Sequence, residues 1–483
     1  MHYPDFKKIL EKDQRLEVSN DLISAVFVFF SIGAFVLVEF LFGFNLVLWV
    51  ISMLIGAMLC IAYPRAGLYA LILLTVIFER FFTLSAVVLG RNEIKLYPID
   101  ILLVAVIIGT LFSILQGKIA YRWRKTDFFM VVFVLLIMGY LAASLLLARS
   151  IPSVAFSSAK QYGFYSLFYF VTAALISSKK QLKELGAVVF LGGIAIIWFI
   201  AYGIFNGQGL WSEFTPLSTE GVRTLAFPHG YYLCMTFIVG LVYLAHKRTV
   251  FSQSLAVLLV LWAIGIFGSM MRHLWVSLLF ATSALSIFFA RDNRNRLRAY
   301  GKKYILVLLF SSVFVLYSVS LFPGSSLHTS MMHTAGALGG RATSLVNASE
   351  DESFAWRSAV WQQASKAYLQ SPVLGIGFGK IVPVEIGSYH DFVEVRNMHN
   401  SFLAILVQMG LLGSLIFFCI IAITVSSIVQ KNILDTDFRI GAYAGISILI
   451  FQITAFLFQP YLETNLLGIF FWINLGMVKK IGE

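Results

Sequence analysis

Apolar runs separated by short polar stretches recur along almost the whole chain, and many hold windows of roughly 17–22 residues, long enough for a helix to cross a bilayer. They predict spans near 22–38, 44–62, 66–79, 98–115, 127–148, 158–176, 184–205, 228–245, 253–268, 274–290, 304–321, 399–428, 440–458 and 464–478. The pattern is weakest over 80–97. None of the runs alternates as the strands of a membrane barrel would. The rhythm changes over 353–412. There Arg357, Trp361, Ala364 and Tyr368 fall on one face of a predicted helix over 353–370. Glu350, Asp351 and Glu352 stand just before it, where acids favour a helix N-terminus, and Ser371-Pro372 stops it. Gly375, Gly377 and Gly379 predict a turn that side chains would obstruct. After a polar passage, His399-Asn400 opens a long apolar segment.

Composition fixes the class. Of 483 residues 59% are hydrophobic and 12% charged, with a mean hydropathy of +0.85. This balance predicts an all-α polytopic membrane protein, with about 12–14 transmembrane helices and one large external loop containing short helices. Cys60, Cys234 and Cys419 lie inside apolar runs and offer neither a disulfide framework nor metal-ligand spacing. The chain divides into a cytoplasmic tail (1–21, uncleaved), a bundle of about 11 spans (22–321), an extracytoplasmic loop (322–398) and about three C-terminal spans (399–483). With the N-terminus inside, 24 of the 36 Lys and Arg fall in cytoplasmic segments. That bias explains most of the net charge of +12 without a nucleic-acid partner. The remaining basic residues, Arg223, Arg272, Arg341, Arg357 and Arg396 among them, sit where topogenesis disfavours them, which points to function.

Several segments carry a resemblance. They are Arg357-x-x-x-Trp361, the PVLGIGFG run at 372–379 and HNSFLAILVQMGLLG at 399–413. Upstream stand RTLAFPHG at 223–230, SMMRHLW at 269–275 and Tyr97-Pro98-Ile99-Asp100. In this order, with a large late external loop, they resemble the bacterial O-antigen ligase and O-antigen polymerase family. His229 departs from the family pattern, which leaves the role of that position open.

The resemblance implies a membrane glycosyltransferase at the outer face of the bacterial plasma (inner) membrane. Its donor would be an undecaprenyl-diphosphate-linked glycan and its acceptor a sugar hydroxyl, with inversion at the anomeric carbon. A chain-length regulator protein is a further expected partner. The leaving diphosphate needs its charge stabilised. No acid pair in the external loops matches a metal site in the family pattern, so the expectation is no metal and no cofactor, with Arg223, Arg272 and Arg357 gripping the diphosphate. His399 is the expected general base, since a histidine at the water–membrane boundary suits proton removal at neutral pH. Trp361, Asn400, Arg341 and Arg396 are expected to contact substrate.

Each residue also has a plainer reading. His399-Asn400 can be a helix start, Arg357 can pair with Glu352 or Asp351, Arg272 can snorkel, and Trp361 can simply pack. Among function classes, polymerisation of repeat units comes first. Ligation of the finished glycan to a final acceptor is the alternative, because both activities share these motifs. A lipid-linked oligosaccharide flippase comes third: it should carry charge near the bilayer midplane and repeated halves, whereas this chain gathers arginines at one face.

Overall fold

The structure, a computed structural model, describes residues 20–84, 87–90, 94–147, 150–206, 225–246, 252–292, 336, 339–340, 352–386, 389–431, 433, 435–463 and 466–483. Helices dominate: α1 (Asn20–Phe42), α2 (Leu46–Ala62), α3 (Pro64–Leu84), α4 (Pro98–Leu115), α5 (Lys125–Leu146), α6 (Pro152–Ala159), α7 (Leu167–Leu175), α8 (Lys179–Asn206), α9 (Phe227–His246), α10 (Ser252–Gly268), α11 (Arg272–Asp292), α12 (Glu352–Gln370), α13 (Ser401–Val429), α14 (Thr436–Phe456) and α15 (Gly468–Gly482). Among the described residues, seven helices are long and apolar enough to cross a membrane, and α2, much of α3 and α10 are shorter apolar helices. The chain is therefore a multi-pass membrane protein. The expected span at 304–321 lies outside the described residues.

Burial orders the bundle. The apolar window of α9 is 72% buried, and that of α14 is 61%, against 28% for α1. The first two form the interior and α1 the periphery. Phe27, Phe30, Leu146 and Trp198 point outward. On a soluble protein such a surface would be a liability; on a spanning helix it meets lipid tails.

Polar contacts collect at two ends. At one, Arg65 pairs with Asp21, Lys179 with Asp435, and Lys183 with Asp437 at 3.1 Å. There the fully buried Asp127 takes Lys479 at 3.3 Å and the hydroxyls of Tyr121 and Tyr169 at 2.7 and 3.0 Å, so its charge is paired rather than stranded. At the far end of α4, Asp100 holds Lys160 at 2.9 Å and Tyr165 at 2.7 Å.

One expectation needs correction. The run at 158–176 is not one straight span: α6 and α7 are joined by a π-helix at Lys160–Phe164 that turns Lys160 toward Asp100. The layer above the bundle also carries two short hairpins. Ile381–Ile386 (β3) and Tyr389–Glu394 (β4) pair antiparallel, and a smaller hairpin joins Val87–Leu89 (β1) to Ile94–Leu96 (β2). Val382 and Val384 face inward while Ile381 and Pro383 stand exposed, the alternation of a strand half-buried on one face.

A glycine-rich strap locks this layer to the bundle. α13 breaks at Gly410 (φ +61°, ψ −163°), a conformation essentially restricted to glycine. The backbone groups that the break releases are taken up by the 372–377 strap. Ile376 N–H donates to Val407 O (2.9 Å) and Gly377 N–H to Gln408 O (3.1 Å), while Leu411 and Leu412 N–H donate to Pro372 and Val373 O (2.9 and 3.1 Å). Irregular backbone survives inside a span only when it is satisfied in this way. A Cβ on Gly375 would meet Gln408 backbone at 2.6 Å, which explains the glycine run. Beyond it Phe378, fully buried, stacks on Tyr162.

Candidate functional site

Where the loop layer returns to the membrane, the start of α13 builds a polar centre. The Asn400 side chain caps the helix by accepting from Leu403 N–H at 3.0 Å. The extended Asn400 backbone that a cap needs follows His399, which is held at φ +54°. A non-glycine residue in the left-handed region is uncommon and costs roughly 1 kcal/mol or more, so the surroundings must over-determine it. They do. Trp361 Nε1 donates to Met398 O at 2.9 Å, and the Trp356 ring meets the imidazole edge to face at 5.1 Å. Both tryptophans stand on α12, whose buried Val360, Ala364 and Ala367 share a small core with Val382, Val384, Val393, Val395 and Met398.

Arg357, half-buried on the same helix, lies close enough to act electrostatically on His399. Burial chiefly, and this guanidinium second, push the imidazole from 6.5 down to about 4, while the Gln459 side chain works the other way. At neutral pH the ring is uncharged and able to accept a proton.

The third wall is the 457–467 connection between α14 and α15. Gln459 reaches His399. Tyr461 hydroxyl and His273 Nε2 are 2.5 Å apart, and His273 follows Arg272 at the start of α11, after a tight turn with Met270 at φ +55°. Glu463, fully buried, accepts from Ser401 hydroxyl at 2.5 Å and Tyr162 hydroxyl at 2.6 Å. Burial raises its carboxyl to about 7 against the pull of those two hydrogen bonds.

The structure brings His399, Asn400, Arg357 and Trp361 together; Arg272 immediately precedes His273, whose imidazole meets the Tyr461 hydroxyl. Arg396 stands at the rim, paired with Glu394 at 2.5 Å and bonded to Ser157. Arg223 and Arg341 lie outside the described residues. Sequence reasoning missed Trp356, Gln459, Tyr461 and Glu463. Glu463 did carry a signal, as a lone acid between two apolar runs. Among the described residues, no three of His, Cys, Asp and Glu are grouped to hold a metal.

An apolar groove of about 380 Å³ opens beside this centre on the face of α13, lined by Asn400, Phe402, Leu403, Leu411, Leu415 and Phe418, with other residues of the helix.

Residues 233–418 match the family model described as O-antigen ligase. No curated protein matches the chain.

Proposed function

We propose that the protein, whose residues 233–418 match the O-antigen ligase family model, is an O-antigen ligase or polymerase-type membrane enzyme, and that it polymerises undecaprenyl-diphosphate-linked oligosaccharide repeat units at the outer face of the plasma membrane. The observation that carries the reading is His399, uncharged at neutral pH, held in a left-handed conformation beside Arg357 where the loop layer meets the first turn of a span. An arginine next to a neutral histidine is an unfavourable neighbour for the protonated ring unless an anion joins them.

In this reading Arg223, Arg272 and Arg357 hold the donor diphosphate. The acceptor hydroxyl oxygen attacks the anomeric carbon from the side opposite the phosphate and gives its proton to His399. The bond from that carbon to the phosphate oxygen breaks, the electron pair leaves with undecaprenyl diphosphate, and a single displacement inverts the centre. The dianionic donor offsets Arg357 and makes the imidazole more basic when a proton must be taken. Arg341, Arg396, Trp361 and Asn400 line the approach of the glycan. A chain-length regulator is a proposed partner. The 322–398 loop is proposed as the extracytoplasmic layer over flanking spans, with 1–21 inside. Transfer of the finished glycan to a separate acceptor uses the same chemistry, so the acceptor alone separates ligase from polymerase.

The test is direct. Detergent-purified protein given only lipid-linked repeat units should produce a ladder of lengthening chains. Single transfer to a different added acceptor, without lengthening, would make it a ligase. Because arginines are proposed to carry the leaving-group charge, chain growth should survive excess chelator. Loss with chelator, restored by magnesium or manganese, would replace the arginine reading with a metal site.

A further inference from the structure

The buried carboxylate Glu463 has no part in the displacement as described, yet its contacts converge on the proposed base. One oxygen accepts from Ser401 Oγ at 2.5 Å, and Ser401 lies two residues beyond His399. The other accepts from Tyr162 Oη at 2.6 Å, on the π-helix, and Gln408 Nε2 approaches the same hydroxyl at 3.3 Å. On its own segment, Glu463 N–H donates to Pro460 O (3.2 Å) and Tyr461 N–H to Gln459 O (2.9 Å), a tight turn that presents Gln459 to the imidazole. Ser401 ties back to this turn, lying 3.3 Å from both Gln459 O and Leu462 N. The contacts therefore run from His399 along the chain to Ser401, across to Glu463, and into the turn that carries Gln459, whose side chain lies near enough to the imidazole to act on its charge.

Such an arrangement answers a need. A histidine at φ +54° sits in an unfavourable backbone region, and something must hold it there. A carboxyl at a helix N-terminus, bonded to the first residue of α13, fixes that turn, and the helix dipole favours its charged form. We propose that Glu463 is a positioning residue for the transfer reaction: through Ser401 on one side and Gln459 on the other it holds His399 at the angle required to take the acceptor proton. The segment lies beyond residues 233–418, so this function extends the site outside the matched domain. The inference rests on His399 being the base.

A positioning role and a merely structural one differ in what they move. The experiment measures kcat, donor dissociation constant and thermal midpoint for purified Glu463→Gln, Ser401→Ala and the double variant, beside His399→Ala. Glutamine keeps the shape but offers one acceptor where two are used, so Glu463→Gln should fold. Each single variant should lose about tenfold or more in kcat. Donor binding should stay within about twofold, because the carboxylate does not touch the diphosphate. The double variant should lose about what one single variant loses, since both break one link. Single-variant kcat within about twofold of the parent, or losses that multiply in the double variant, would overturn the proposal. If Glu463→Gln unfolds, Ser401→Ala alone decides: a normal kcat there overturns it, and a lowered kcat with normal donor binding upholds it. A fully active His399→Ala would instead bring down the base assignment itself, so the two failures are distinguishable.

Discussion

His399 and Arg357 show how one pair of side chains can be arranged against its own resting preference. The ring is kept neutral by burial first and by the guanidinium second. The sign follows: the base form exists above the folded-state value of about 4 and is lost as pH falls through it. The acid limb that His399 contributes to kcat/KM, which reports the free enzyme, should therefore lie well below the ordinary 6.5. In Arg357→Ala the like charge is gone, and this limb should move upward; a limb that stays in place would separate Arg357 from the base. Arg357→Lys keeps the charge but loses the two-pronged grip on phosphate. Losing one charge-assisted hydrogen bond costs about 1.5–3 kcal/mol, roughly ten- to a hundredfold in donor binding. Titration calorimetry of the purified variant with donor checks it, and parent-like affinity would assign the diphosphate to other cations.

At the scale of elements, the strap and the α13 break stand or fall together. Gly410→Ala places a Cβ at 2.3 Å from Val373 O at a φ of +61°, so backbone must move. Strain and overpacking of about 1–3 kcal/mol each should lower the thermal midpoint markedly. Gly139→Ala, in the open on α5, should leave the midpoint unchanged or slightly raised. Equal midpoints for the two variants would contradict the strap account. The glycines at 375–379, the helix ending at Gln370 and the start of α13 were all legible in the sequence, because each depends on local chemistry: a proline stop, positive φ, a capping side chain. The π-helix at 160–164 was not: it sets Lys160 against Asp100, a contact between distant parts of the chain that no local pattern announces. The β3–β4 hairpin was hidden inside a polar passage for a similar reason: its strands are fixed by the core they share with α12. Glu463 and Gln459 reach the site only when α14 and α15 fold back, sixty residues or so along the chain from His399.

For the whole molecule, the contacts at one end join segments read as cytoplasmic, namely Arg65, Lys179, Lys183, Lys431 and Lys479, while His399 and Lys160 belong to the other. That separation supports an outward-facing site. Single cysteines introduced at positions 120 and 295 should be protected from impermeant reagent in intact cells, and those at 212 and 340 should react. Reaction at 295 without permeabilisation would put the site on the wrong face. The central claim, a base on the acceptor and cations on the donor, is tested most directly by His399→Ala. Chain growth and donor binding are to be measured on the same detergent-purified sample, with an elution profile matching the parent. The account predicts a loss of about 10²–10⁴-fold in turnover with donor binding retained, because the imidazole takes the acceptor proton and does not grip the diphosphate. Near-normal chain growth in that variant would contradict it and leave His399 as a residue that only starts a helix.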